Sequence, residues 1–260
     1  MAARRAAPLS FGIFAEGATS TDLRGRDTFV DLWKTLCGRL KSPLPEIHVF
    51  GISKAQIVAL RDDVGAQKPD REPLDLLLQR MHARHGFNVA VVAFDRIPQN
   101  QHIPGDCMRR EVNFILERFR ARALVPDPFR DEATRLLDYY RMHPEEPRGP
   151  GRPPRGCLDV VYMDPMFEAL FLADETAVLR SFGHKRRPKD WPSFDPHLHN
   201  PDHHVLGPAV DCASPVIRAK VRGNFVTNKH GWAKWILAQA ADDAGFFGHA
   251  IAERLRIVLG

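Results

Sequence analysis

Two carboxylates sit where apolar runs end, and that placement could do chemistry. The run LSFGIFA at 9–15 stops at Glu16, which is followed by Gly17 and the small polar residues Ala18, Thr19 and Ser20. The run FNVAVVAFD at 87–95 closes on Asp95. A third carboxylate, Glu168, falls early in the helix expected after the strand CLDVVYM at 157–163. Ligands of open α/β sheets gather outside the carboxyl ends of the strands, so Glu16, Asp95 and Glu168 could share one edge. Grouped carboxylates are hard oxygen ligands and suit Mg2+ or Mn2+, which retain waters for a phosphate. Such a cation polarises a phosphodiester and stabilises charge on its attacking and leaving oxygens. Read on spacing alone, Glu16 closes a turn and Asp95 caps the segment after it.

Histidines and cations supply two further candidates. Asp195, His197, His199, His203 and His204 fall within ten residues. His197 and His199 would point the same way in an extended segment and could share Zn2+, but prolines surround them and a polar surface loop is the plainer reading. Basic residues cluster at Arg109-Arg110, from Arg118 to Arg122, from Arg148 to Arg155, and at His184-Lys185-Arg186-Arg187. The loops 148–155 and 184–187 flank the strand and helix that carry Glu168. Arg152, Arg155, Lys185, Arg186 and Arg187 are therefore the candidates for neutralising nucleic-acid phosphates, in a salt-sensitive way. Arg109-Arg110 reads as a solvated face. No basic strip interleaved with aromatics suggests stacking on single strands. No Walker-type phosphate loop occurs, so any ATP hydrolysis must come from another chain.

Strands and helices must alternate to hold the carboxylates at one edge. After the first strand, Val30, Trp33, Cys37 and Leu40 recur at helical steps from Asp27 onward. EIHVFGI at 46–52 alternates as a second strand, and Leu74, Leu77, Leu78 and Met81 mark the next helix. The unbroken apolar character of 87–95 suits a central strand covered on both faces. Helices are expected from about Asp106, over 131–143 and over 166–182. The order predicts an α/β fold with a mainly parallel sheet, helices flanking it, and right-handed crossovers. It occupies 1–183, with a basic Pro/Gly-rich loop at 145–156. A His/Pro-rich loop or insertion at 184–213 and a helical C-terminal segment at 214–260 complete the organisation, with Trp232, Trp235, Ile236, Phe246, Phe247, Ile251 and Leu255 as its buried positions.

Composition narrows the class. With 44% hydrophobic and 27% charged residues, the chain is not globally disordered. A formal charge of +5 leans mildly toward anionic partners. Cys37, Cys107, Cys157 and Cys212 form no C-x-x-C pair, which argues against a disulfide framework and for reduced thiols in a cytoplasmic protein. No stretch approaches the ~20 apolar residues that span a bilayer, so a soluble, unexported protein without a membrane partner is expected. Oligomeric state stays open.

The run FGIFAEGATSTDL, followed by a helix and later by VVAFD, resembles the Toprim fold of topoisomerases, primases and OLD-type nucleases. In that family a Glu-Gly follows the first strand and an Asp-x-Asp follows a later one. Glu16 matches the glutamate and Asp95 the first aspartate. FEALFLAD at 167–174, a downstream Asp-Pro, NKHGWAKWI and GFF resemble a less characterised Toprim-related group of prokaryotes, often associated with ATPases or mobile-element defence. The resemblance covers 9–182 well and 220–256 loosely. It implies a divalent-metal-dependent nuclease in a defence or genome-maintenance complex. Glu16 would be a metal ligand or general acid/base, Asp95 the principal metal ligand and Glu168 a third ligand. Glu168 shares a helix face with Glu175, whereas Asp174, which also fits the pattern, lies on another face and reads as solvated. One departure matters: the second aspartate would fall at Ile97, and Asp106 replaces it only if the loop folds back. The departure implies an alternative, a non-catalytic Toprim-like interaction subunit partnering an ATPase.

Overall fold

A computed structural model describes residues 9–17, 28–40, 45–58, 72–95, 105–143, 156–163, 175–189, 211–219 and 255–256. In chain order the elements are β1 (Ser10–Glu16), α1 (Thr28–Leu40), β2 (Glu46–Ile52), α2 (Lys54–Val58), α3 (Leu74–His85), β3 (Val89–Asp95), α4 (Gly105–Ala121), α5 (Asp127–Met142), β4 (Leu158–Met163) and α6 (Glu175–Ser181). The strands form one parallel sheet in the order β2-β1-β3-β4. The expected α/β architecture, a parallel sheet flanked by helices, is therefore present. Trp232, Trp235, Ile236, Phe246, Phe247 and Ile251 lie outside the described residues, as does most of the 184–213 segment.

Strand alternation splits the apolar side chains between two cores. Phe11, Ile13 and Ala15 of β1 join Val89, Val91 and Ala93 of β3 under α1 and α6, and Leu255 packs into the same cluster. Phe14 of β1 joins Ala90, Val92 and Phe94 of β3 under α3, α4 and α5. Both faces of the central strands are thus covered, which is why β1 and β3 read as unbroken apolar runs. The chain steps from β1 to β2 over the α1 face, then reverses and steps past β1 to β3 over the α3 face. Direction and face reverse together, so both crossovers keep one hand, as the rule for parallel strands requires. Among the described residues no helix is long and apolar enough to cross a membrane.

Local signals explain the element ends. α3 stops at Gly86, in the left-handed region at φ 69°, where the Gly86 N–H donates to the His82 carbonyl. α6 stops in the same way: Gly183 has φ 80°, its N–H donates to Arg180 O, and the His184 N–H donates to Leu179 O. That paired pattern satisfies the last carbonyls and turns the chain outward. α5 begins at Asp127, four residues before the expected 131, because Pro128 falls in the first turn, where a missing N–H costs nothing. The buried thiol of Cys37 is pushed up to about 12 by desolvation and is chemically quiet.

A histidine cluster joins the lower part of β2 to α3. The His48 and His85 rings lie 4.6 Å apart, and His48 Nε2 is 3.2 Å from Glu46 Oε1. His82 and His85 titrate below the ordinary 6.5: His82 through burial, His85 through burial and then its neighbours His48 and Arg84, against the opposing pull of Glu46. The unfolded chain therefore takes up protons first, so the contribution is complete above pH 6.5 and is lost as pH falls toward the lowered values. Melting temperature should drop as pH falls below 6.5, and His85→Gln should flatten that slope. An unchanged slope in His85→Gln would show that the pair is not the source.

Candidate functional site

Glu16 and Asp95 meet at the carboxyl edge of the sheet. They end the two central strands, β1 and β3, between which the strand order reverses. That reversal is the topological switch point, the place where open α/β sheets bind their ligands. The Asp95 N–H donates to Glu16 Oε2 at 2.9 Å, and both residues are half-buried. The structure thus brings the first two predicted site residues together, across 79 positions of sequence.

The contact is between a carboxylate and an amide, and the two side chains leave the sheet on opposite sides. Glu16 pairs with Ile52, a member of the core beneath α3, and continues the parity of Phe14. Asp95 pairs with Met163, a member of the core beneath α1, and continues the parity of Ala93. Glu16 and Asp95 end at one edge, but each carboxylate belongs to a different face.

Gly17 shapes the exit from β1. Its φ of +146° is disfavoured for a side chain, and an added Cβ would lie 2.7 Å from the Phe29 ring of α1. Its N–H donates to Ile52 O at 3.1 Å, so the turn stays attached to β2. Beside it, β2 runs into α2 through Ser53, whose N–H donates to Gln56 Oε1 at 2.8 Å. This S-x-x-Q box closes the start of α2 and was readable from the spacing of Ser53 and Gln56.

The other predicted residues divide clearly. Lys185, Arg186 and Arg187 follow the outward turn after α6 and are all exposed. Asp106 falls in the first turn of α4. Glu168, Asp174, Ile97, Arg152, Arg155 and the cluster from His197 to His204 lie outside the described residues. Among the described residues no group of three or more His, Cys, Asp or Glu side chains is arranged to hold a metal ion. Comparison with protein-family models, curated proteins and solved structures gives no match.

Proposed function

We propose that the chain is a Toprim-like phosphodiesterase that cleaves nucleic acid with Mg2+ or Mn2+, its centre lying above β1 and β3. The observation that carries this reading is the meeting of Glu16 and Asp95 at the switch point of a parallel sheet. Mg2+ commonly takes only one or two protein carboxylates and fills its shell with water and phosphate, so Asp95 with one further carboxylate would suffice. The cation would polarise the phosphodiester, as such ions do elsewhere. Asp95 would be the principal ligand and Glu168 a further candidate, with Glu16 beside Asp95 at the same edge. Lys185, Arg186 and Arg187, with Arg152 and Arg155, would neutralise backbone phosphates, so binding should weaken steeply with salt. The resemblance supports a place in a prokaryotic defence or genome-maintenance complex, beside an ATPase partner.

The test is cleavage of single- and double-stranded DNA and RNA with Mg2+ or Mn2+. Wild type should cleave at least one substrate, and Asp95→Asn should lose about 100-fold or more, the scale of removing one charge-stabilising group. Equal cleavage by Asp95→Asn would move the chemistry elsewhere. A second reading, a non-catalytic interaction subunit, draws on the engagement of Glu16 by a backbone amide and on Ile97 in place of a second aspartate. Nucleic-acid or ATPase binding without cleavage by wild type would favour it.

A further inference from the structure

We infer that Glu16 is a positioning residue: its carboxylate fixes the backbone at Asp95 instead of reaching the reacting atoms. The paired register of β1 and β3 ends at Ala15 and Ala93. Beyond it, the Glu16 side chain carries the connection onward by accepting the Asp95 N–H at 2.9 Å. Glu16 is itself held from the other side, because its backbone pairs with Ile52 and the next N–H, on Gly17, donates to Ile52 O. A residue anchored to β2 through its main chain and to β3 through its side chain fixes, with the Asp95–Met163 pairing on the β4 side, where the chain leaves β3. It therefore sets the direction of the Asp95 carboxylate on the opposite face.

The amino end of the same strand pair is built alike. There the Ser10 N–H donates to Asn88 Oδ1 at 2.9 Å, and the Asn88 N–H donates to Ser10 O at 3.0 Å. An amide oxygen does at that end what a carboxylate oxygen does at Glu16. The requirement at position 16 is thus an acceptor oxygen at the right reach, and the negative charge is secondary. Glutamine keeps both reach and oxygen, aspartate keeps charge but is one methylene short, and alanine keeps neither. A metal ligand or general base would show the reverse order, with aspartate tolerated above glutamine.

The inference rests on the phosphodiesterase reading only for its metal arm. Asp95 amide hydrogen exchange and Mn2+ binding are measured on the full chain for wild type, Glu16→Gln, Glu16→Asp and Glu16→Ala. Glu16→Gln should stay within about threefold of wild type in both, while Glu16→Asp and Glu16→Ala lose about tenfold or more in Asp95 protection. Mn2+ binding should follow the same order. Retention by Glu16→Asp with loss in Glu16→Gln would overturn the inference and make Glu16 a ligand. If no protein binds Mn2+, the phosphodiesterase reading falls, and the exchange series alone decides. Equal Asp95 protection in all four proteins would then overturn the inference.

Discussion

Phe87→Ala should destabilise the protein by about 3–5 kcal/mol, the range for emptying a large aromatic from a packed core. Phe87 is fully buried one residue after the left-handed cap of α3. Its ring stacks on Phe129 of α5 at 6.0 Å and meets Phe14 of β1 edge-on at 5.9 Å. It also meets His82 of α3 at 5.3 Å and Phe50 of β2 at 6.2 Å. An alanine at position 12 would put its Cβ 2.8 Å from the same ring, so Gly12 is the floor on which Phe87 lies. One side chain thus closes a space bounded by two strands and two helices. Phe87→Leu, which refills part of the volume, should cost about half as much. Urea unfolding of the three proteins measures both losses, and a loss below about 1 kcal/mol for Phe87→Ala would mean that the site collapses freely.

The second large effect is expected at Gly156→Ala. The new Cβ would lie 1.5 Å from Glu132 Oε1, so the carboxylate must leave its place. Glu132 is buried in α5 and clasps Arg135 through two hydrogen bonds, one from Nε at 2.8 Å and one from the terminal guanidinium nitrogen. Its negative charge also helps raise the neighbouring Cys157 thiol to about 11, after the larger effect of burial. Displacing it disturbs a charge pair whose carboxylate is buried. Since Arg135 is 38% exposed and the displaced atoms end a flexible side chain, the loss should be about 1–3 kcal/mol, below the full cost of a buried pair. A double-mutant cycle isolates the cause: in a Glu132→Ala background the clash is gone, and Gly156→Ala should cost under about 1 kcal/mol. An undiminished cost there would place the strain in the Gly156 backbone.

Much of the fold was legible because apolar runs and helical spacing each carry one signal. β1 and β3 announced themselves as buried strands, and Glu16 and Asp95 as their ends, since the apolar character stops at those residues. Parity within one strand was also readable, so Phe14 and Glu16 had to share a side. The face on which each parity lies was not readable, because it depends on which helix covers which side. For that reason the opposed directions of Glu16 and Asp95 emerged only with the register of β1, β3 and β4. α5 starts four residues before 131, and Pro126 and Pro128 both fit a helix start. Glu132 lies on the apolar side of α5 near Phe129, Ala133 and Leu136. Its burial was not readable from its charge, and Gly156, from a distant loop, leaves room for it.

The strand order β2-β1-β3-β4 also governs how the chain is completed as it emerges from synthesis. The first 52 residues contain a βαβ unit, but β1 leaves one edge unpaired until β3 arrives. Closing that edge spans 79 residues at the Glu16 to Asp95 bond, and such long-range parallel pairing is entropically slow. The nascent chain therefore carries an open, apolar strand edge through the making of α2 and α3, when a second copy could add to it. Fragments ending between 52 and 88 should associate, whereas those extending past 95 carry the strand that covers that edge.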